Sequence, residues 1–280
     1  MQTHQRFSPS SLLVVVLRYG ILIGCTAIIG YPVLWMVLQS FKSTSEMYAN
    51  LWGLPHALLL ENYARAVQMG MTGYIVNSTV VAVGTVACIL VGASLAAYAF
   101  SKFDFVGSRA LFLMFIFTLI VPMQAMIIPL YTVLVSLHLT NTYLVLILPY
   151  AASGLPISIF LLRAFFDTIP HELEEAARID GCSDFDAFWR VVLPISGPGL
   201  AAVAILQFVN AWNELVLALV AIRNPNLRTI PLGLQIFISD QVEWGPVFAS
   251  LSMATIPVII VYVLMQRHFI RGLTAGAIKG

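Results

Sequence analysis

The chain has 280 residues, 60% of them apolar and only 10% charged, with a mean hydropathy of +0.91 and a net charge of +1. Soluble domains carry about a quarter charged residues, so this composition excludes an ordinary water-soluble fold, and a near-neutral charge without a basic block gives no reason to invoke nucleic acid. Cys25, Cys88 and Cys182 stand alone, which excludes a disulfide framework or a metal quartet and leaves them as small packing residues.

A helix crosses a hydrocarbon core of roughly 30 Å with about twenty apolar residues. Six such stretches are predicted, near 17–39, 74–100, 110–134, 142–165, 198–222 and 247–267. The first is longer than the apolar region of a signal peptide and lacks a small-residue cleavage site, so it is read as a span. Gly20 and Gly24 form a Gly-x-x-x-Gly, and Gly84, Cys88, Gly92 and Ala96 a four-spaced stripe; both read as packing seams, with a partner subunit as one surface they could face. Tyr19, Trp35, Trp52, Tyr74, Tyr98, Tyr143 and Trp244 sit near span ends, as interfacial aromatics do. No charged residue occurs between Arg109 and Arg163, which predicts a two-helix hairpin turning near 136–141. Within it Gln124 lies between Pro122 and Pro129, where missing N–H donors predict a kink or a backbone opened onto a cavity. In the fifth span Gln207, Asn210, Asn213 and Glu214 recur at three- and four-residue spacing, a polar stripe that either lines a solute route or bonds neighbouring helices.

Between the fourth and fifth spans, residues 168–198 hold six of the thirteen acidic residues. Pro170 precedes a short helix whose Glu172, Glu174 and Glu175 suit the positive end of its dipole. Gly181 is placed to take the left-handed conformation after Asp180. Ser183 and Asp186 match a capping box, and Phe185, Phe188, Trp189 and Val192 follow at helical spacing before Pro194 ends the run. Leu173, Ala176 and Ala177 give the first helix a small-residue face beside carboxylates able to pair with arginine, a pattern suited to docking. With both termini inside, ten lysines and arginines face the cytoplasm and four, Lys42, Arg65, Arg223 and Arg228, face out, which places this hairpin on the cytoplasmic side.

The run Glu175-Ala176-Ala177, Gly181, Val191, Leu193, Pro194 resembles the EAA motif of membrane subunits of bacterial ATP-binding-cassette importers, with valine for isoleucine at 191. Residues 271–280 and Ala211-Trp212-Asn213-Glu214 are similar to carbohydrate-importer permeases, in particular the smaller permease of maltose-type systems. The resemblance implies an all-α polytopic protein, a single domain over 1–280 with six transmembrane helices and a cytoplasmic coupling-helix hairpin at about 166–197. It implies that Glu172, Glu174, Glu175, Ala176, Ala177, Asp180, Gly181, Phe185, Phe188, Leu193 and Pro194 couple to an ATPase, Glu175 meeting an arginine there. It further implies that the tail 268–280 reaches the ATPase dimer through Lys279, made flexible by Gly272, Gly276 and Gly280. The implied partners are a second permease, two ATPase subunits carrying ATP and Mg, an extracytoplasmic solute-binding protein, the bilayer and a carbohydrate; residues 42–68 would lie on the membrane surface or meet that binding protein.

The chain has no Gly-x-x-x-x-Gly-Lys-Ser/Thr phosphate loop, no His-Glu-x-x-His and no recognisable nucleophile–histidine–carboxylate spacing. The expectation is a transporter subunit in the bacterial cytoplasmic membrane that is not itself an enzyme and binds no cofactor. An ion-gradient-driven secondary carrier is the alternative, with Glu214 as its one intramembrane carboxylate; within the importer reading a glycerol phosphate is an alternative substrate.

Overall fold

A computed structural model of the chain describes residues 9–237 and 242–277, and all regular structure among them is helical. In chain order, α1 covers Pro9–Gln39, α2 Thr44–Ala49, α3 Glu61–Gln68 and α4 Met71–Lys102. The third predicted stretch is two helices, α5 (Ser108–Thr118) and α6 (Ile127–Ser136). They are bent by 88° across a 3₁₀ turn at Met123–Met126. Pro122 is the cause: it cannot donate to the preceding turn, and its own backbone is extended at ψ 135°. After α7 (Leu144–Phe166) come α8 (Glu172–Ile179) and α9 (Asp184–Ala187), a π turn over Phe188–Val192, α10 (Leu193–Ile195) and α11 (Gly197–Asn213).

The predicted span 198–222 is also broken. Glu214 is extended at ψ 128°, and α12 (Val216–Ala221) starts afresh, with Glu214 Oε1 accepting the Leu217 N–H at 3.1 Å. The chain then runs through α13 (Ile230–Leu234) to α14 (Trp244–Ala277). Four continuous helices are long and apolar enough to span, Val14–Gln39, Met71–Lys102, Leu144–Phe166 and Trp244–Gln266; a count of six requires each of two bent pairs, 108–136 and 184–213, to cross as one. Because α14 continues to Ala277, Gly272 and Gly276 lie inside a helix rather than in a loose tail.

The chain forms two compact units, one from Met1–Met69 and Asp240–Met253, the other from Gly70–Ser239 and Ala254–Gly280. In the first unit, Ser43 caps α2 by accepting the Glu46 N–H at 3.1 Å. Lys42 is fully buried and donates from Nζ to the Asn50 carbonyl at 2.8 Å. The Asn62 amide donates to the carbonyls of Ser40 and Lys42, and Gly245 lies so close that a Cβ there would meet Asn62 Oδ1 at 2.5 Å. Arg65 bridges Glu61 and Glu243. A Cβ added at Gly20 or Gly24 would meet nothing within 4 Å among the described residues, so their seam is left open along an exposed α1.

The second unit is built on α4 against α7. A Cβ on Gly84 would sit 2.9 Å from Ile147 Cδ1, and one on Gly92 3.1 Å from Leu155 Cδ2. The glycines lie two turns apart on α4 and their partners two turns apart on α7, so the small-residue stripe is an internal seam at its glycines, while Cys88 is exposed. Ile89, Ala93 and Ala97 of α4 join Ile159, Leu162 and Phe166 of α7, Val203 of α11 and Phe188 and Val192 of the π turn in one buried cluster. That cluster clamps the segment after α8 to the helical core. Three tyrosines predicted as interfacial have specific places: Tyr74 packs over Gly233, Tyr143 donates to Asn77 Oδ1 at 2.8 Å, and Tyr98 is buried beside α8.

Candidate functional site

The acidic hairpin has the caps its sequence specifies. Glu172, Glu174 and Glu175 occupy the first turn of α8, where the helix dipole favours negative charge. At the other end Gly181 takes φ 85°, its N–H bonding the Arg178 carbonyl while the Cys182 N–H reaches back to Ala177, a Schellman closure. Ser183 then caps α9 reciprocally: Ser183 Oγ accepts from the Asp186 N–H at 3.1 Å and Asp186 Oδ2 from the Ser183 N–H at 3.4 Å. Arg178 crosses the turn to Asp184 at 2.8 Å and ties the two helices together.

The faces differ from the sequence expectation. Glu174, predicted to contact an ATPase, points into the chain: its Oε1 lies 2.9 Å from Lys102 Nζ, and the two side chains are only 3% and 2% exposed. Lys102 aligns its hydrogen bond on the Ile169 carbonyl at 2.9 Å, and Tyr98 donates to Glu174 Oε2 at 3.1 Å and to the Asp184 carbonyl at 3.4 Å. Ala177 and Phe188 are also buried and cannot form a contact face. Glu172, Leu173, Glu175, Ala176, Ile179, Asp180, Gly181, Phe185 and Trp189 are exposed, as are Arg178 and Asp184, which pair with each other, and Arg190, with Pro194 exposed and Leu193 half-buried. Ile179 is 87% exposed, an apolar side chain beside carboxylates with no cover from its own chain. The run ends one residue past Pro194, at Ile195, where the chain bends by 74° into α11. The Leu193 N–H bonds Phe188 five residues back, and this widened turn passes the chain through the proline into α10.

The polar stripe of α11 is only partly assembled. Gln207, Asn210 and Glu214 line a cavity of about 180 Å³ with Thr85 of α4 and Tyr150, Ser153 and Gly154 of α7. Gln207 Nε2 donates to the Gly154 carbonyl at 3.2 Å and to Ser158 Oγ at 2.9 Å. Tyr150 donates a hydrogen bond to Glu214 Oε2. Asn213 is turned away, exposed and bonded to the Val209 carbonyl at 2.9 Å. Gln124 is exposed in the turn between α5 and α6, and its neighbour Met123 reaches the cavity instead. Lys279 lies outside the described residues.

Residues 88–275 match the family described as binding-protein-dependent transport system inner membrane component. The chain belongs to this family. As a member, it is 40% identical over 253 residues to the probable ABC transporter permease protein YurM of Bacillus subtilis, covering 90% of this chain and 84% of that one. To the diacetylchitobiose uptake system permease protein NgcG of Streptomyces coelicolor it is 34% identical over 267 residues, covering 94% and 88%. Its fold matches the crystal structure of a bacterial ABC transporter involved in the import of the acidic polysaccharide alginate, with a TM-score of 0.79 at 25% identity over 95% of this chain and 100% of that one. The permease is thus a multi-pass inner-membrane transport component, and the family match takes in the hairpin and most of the cavity.

Sequence reasoning missed Lys102, Tyr98, Thr85, Tyr150 and Ser153. Lys102 and Tyr98 look like ordinary span-end residues until the fold sets α8 beside them. Tyr150 carried a readable signal, because a hydroxyl deep in an apolar stretch needs a partner.

Proposed function

We propose that this chain is one permease subunit of an ATP-driven importer that carries a sugar or oligosaccharide across the cytoplasmic membrane by alternating access. The observation that carries the reading is the α8–α9 hairpin, which exposes Glu172, Glu175, Ala176, Ile179 and Phe185 while Glu174 and Phe188 anchor it inward. A rigid elbow with a bare, mixed acidic and apolar face is suited to a groove on a second protein. On this reading the groove belongs to an ATPase subunit, Glu175 pairs with an arginine there, and Asp180, Gly181 and Pro194 shape the contact. ATP and Mg are held by two such subunits; this chain contributes movement, not hydrolysis. Lys279 is assigned to the tail contact with the same dimer.

A second, homologous permease completes the pathway, and a solute-binding protein delivers the substrate on the far side. The excess of lysine and arginine, ten against four, supports placing both termini and the hairpin in the cytoplasm. The family match and relatives named for sugar uptake favour a saccharide, and among the described residues no lysine, arginine or histidine lines the cavity to meet a glycerol phosphate. Family membership leaves the ion-gradient carrier without support. Glu175→Lys tests the elbow: uptake by the reconstituted complex is expected to vanish while the chain remains in the membrane. Undiminished uptake would overturn the assignment.

A further inference from the structure

We propose that a second cavity, between the end of α4, the start of α5 and α7, binds the phosphodiester headgroup of an anionic phospholipid such as phosphatidylglycerol from the cytoplasmic leaflet. The cavity measures about 820 Å³, and Phe100, Asp104, Phe105, Arg109, Phe112 and Arg163 are among its walls. It shares no residue with the cavity that Gln207 lines. It lies at the end of α4 and α7 that carries Lys102 and leads into the acidic hairpin, the end that the topology proposed above places in the cytoplasm.

Its two guanidiniums have donors to offer. Among the described residues the Arg109 side chain makes no ion pair or hydrogen bond. Arg163 is held over the Phe112 ring, with Cζ 4.2 Å from the centroid. Its Nε lies 3.8 Å from Asp167 Oδ2, too far for a hydrogen bond, and Asp167 Oδ1 already accepts from Ser101 Oγ at 2.6 Å. The terminal nitrogens of Arg163 are thus positioned by packing and left unspent. A phosphodiester brings two unesterified oxygens, a match for planar guanidinium forks. Among the described residues Arg109 and Arg163 against Asp104 leave the wall one positive charge in excess, which suits a singly charged phosphodiester better than a doubly charged phosphomonoester.

The surroundings select a lipid over a free ion. The turn after α4 exposes Phe103, Phe105 and Val106, the last completely, and an apolar tip beside arginines is the arrangement of a segment that dips among headgroups. Helix α5 has no buried residue. Its Phe112 and Phe115 lean on Phe100, while Leu113, Met114 and Phe117 are exposed. Leu113 lines the cavity and Phe117 follows one turn on along the same face, so an apolar track leads away from the arginines in the direction an acyl chain would take. Basic pockets between spans on the cytoplasmic side face the leaflet whose surface potential is negative, where such headgroups are concentrated.

The test uses the whole complex, this chain with its second permease and ATPase subunits, delipidated in neutral detergent. It is titrated with phosphatidylglycerol, phosphatidylcholine or inorganic phosphate, and native mass spectrometry reads the bound lipid. Phosphatidylglycerol is expected to bind at least about tenfold more tightly than phosphatidylcholine. Arg109→Gln and Arg163→Gln should each weaken it about tenfold, the loss of one charge-assisted hydrogen bond, and Arg109→Lys should retain more binding than Arg109→Gln. Asp104→Asn removes a like charge and should tighten binding. Because Arg109 is exposed and unpaired among the described residues, Arg109→Gln should leave the melting temperature of the lipid-free complex unchanged. Equal affinity for the two lipids, unaltered binding in both glutamine variants, weakening by Asp104→Asn as large as by Arg109→Gln, or displacement of the lipid by an equal concentration of inorganic phosphate would overturn the proposal. So would failure of Arg109→Cys to react with a small maleimide in the delipidated complex, since another subunit would then cover the cavity.

Discussion

Lys102 Nζ lies 2.9 Å from Glu174 Oε1, joining the last turn of α4 to the first turn of α8 through two side chains that are almost wholly buried. Removing one member of such a pair strands the other charge out of water, which costs about 3–5 kcal/mol, whereas replacing both with apolar groups of similar size can be neutral. Glu174→Gln and Lys102→Met should therefore each lower the melting temperature of the purified complex, and Lys102→Met with Glu174→Leu should recover most of it. If the pair also transmits movement, the stable double variant should hydrolyse ATP with less uptake per ATP. Unchanged melting in both single variants would show that the pair bears no structural weight.

Gly181 holds φ 85° between α8 and α9 and donates its N–H to the Arg178 carbonyl. Alanine there meets the left-handed penalty of about 1–2 kcal/mol but keeps the donor; proline cannot adopt the angle and loses the donor as well. Uptake should fall modestly in Gly181→Ala and be abolished in Gly181→Pro, with faster limited proteolysis of the hairpin in the same order.

In the first unit, the His56 N–H donates to Glu46 Oε1 at 2.7 Å and holds the carboxyl below the ordinary glutamate range; the His56 ring, 2.6 Å from the same oxygen, acts in the same direction. A folded-state value below the unfolded one gives stabilisation that is present above the unfolded value, about 4.3, and is lost as pH falls through the folded value. Hydrogen exchange at the His56 amide should accelerate below about pH 4 after correction for intrinsic rates. Glu46→Gln should flatten that dependence.

Gly154 faces Ile89 Cδ1 and Gln207 Oε1, which an added Cβ would approach to 2.6 and 2.7 Å. Gly154→Ala should displace the Gln207 amide from its bonds to Gly154 and Ser158 and destabilise the second unit by about 1–3 kcal/mol, typical of overpacking. Pairing it with Gln207→Ala should restore the melting temperature without restoring uptake.

Local chemistry was legible in the sequence, and side-chain direction was not. Gly181, the Ser183–Asp186 box and the acidic first turn of α8 each follow from neighbours within a few residues, and each is present in the fold. Glu174 and Glu175 are adjacent carboxylates whose sequence surroundings are nearly the same. About 100° of helical rotation separates them, and only the distant Lys102 decides which one turns inward. Hydropathy gave the apolar lengths and the prolines around Gln124 marked the first interruption, at Pro122, but nothing marked the one at Glu214, because averaging over a window of residues hides one extended backbone position. Gln207, Asn210 and Glu214 were brought together as their spacing suggested; Asn213 was not, since the helix ends there and Glu214 starts a new turn.

The π turn at Phe188–Val192 holds one more residue than an α-helical path would use. Each residue advances an α-helix by about 100°, so that surplus sets the phase of the residues up to Ile195, where the helix stops before the 74° bend into α11. Deleting a single residue from this stretch would leave composition and hydropathy almost untouched yet swing Leu193 and Ile195 by more than a quarter turn relative to Phe185. The angular bearing of the hairpin's closing residues is thus encoded by a supernumerary position inside it.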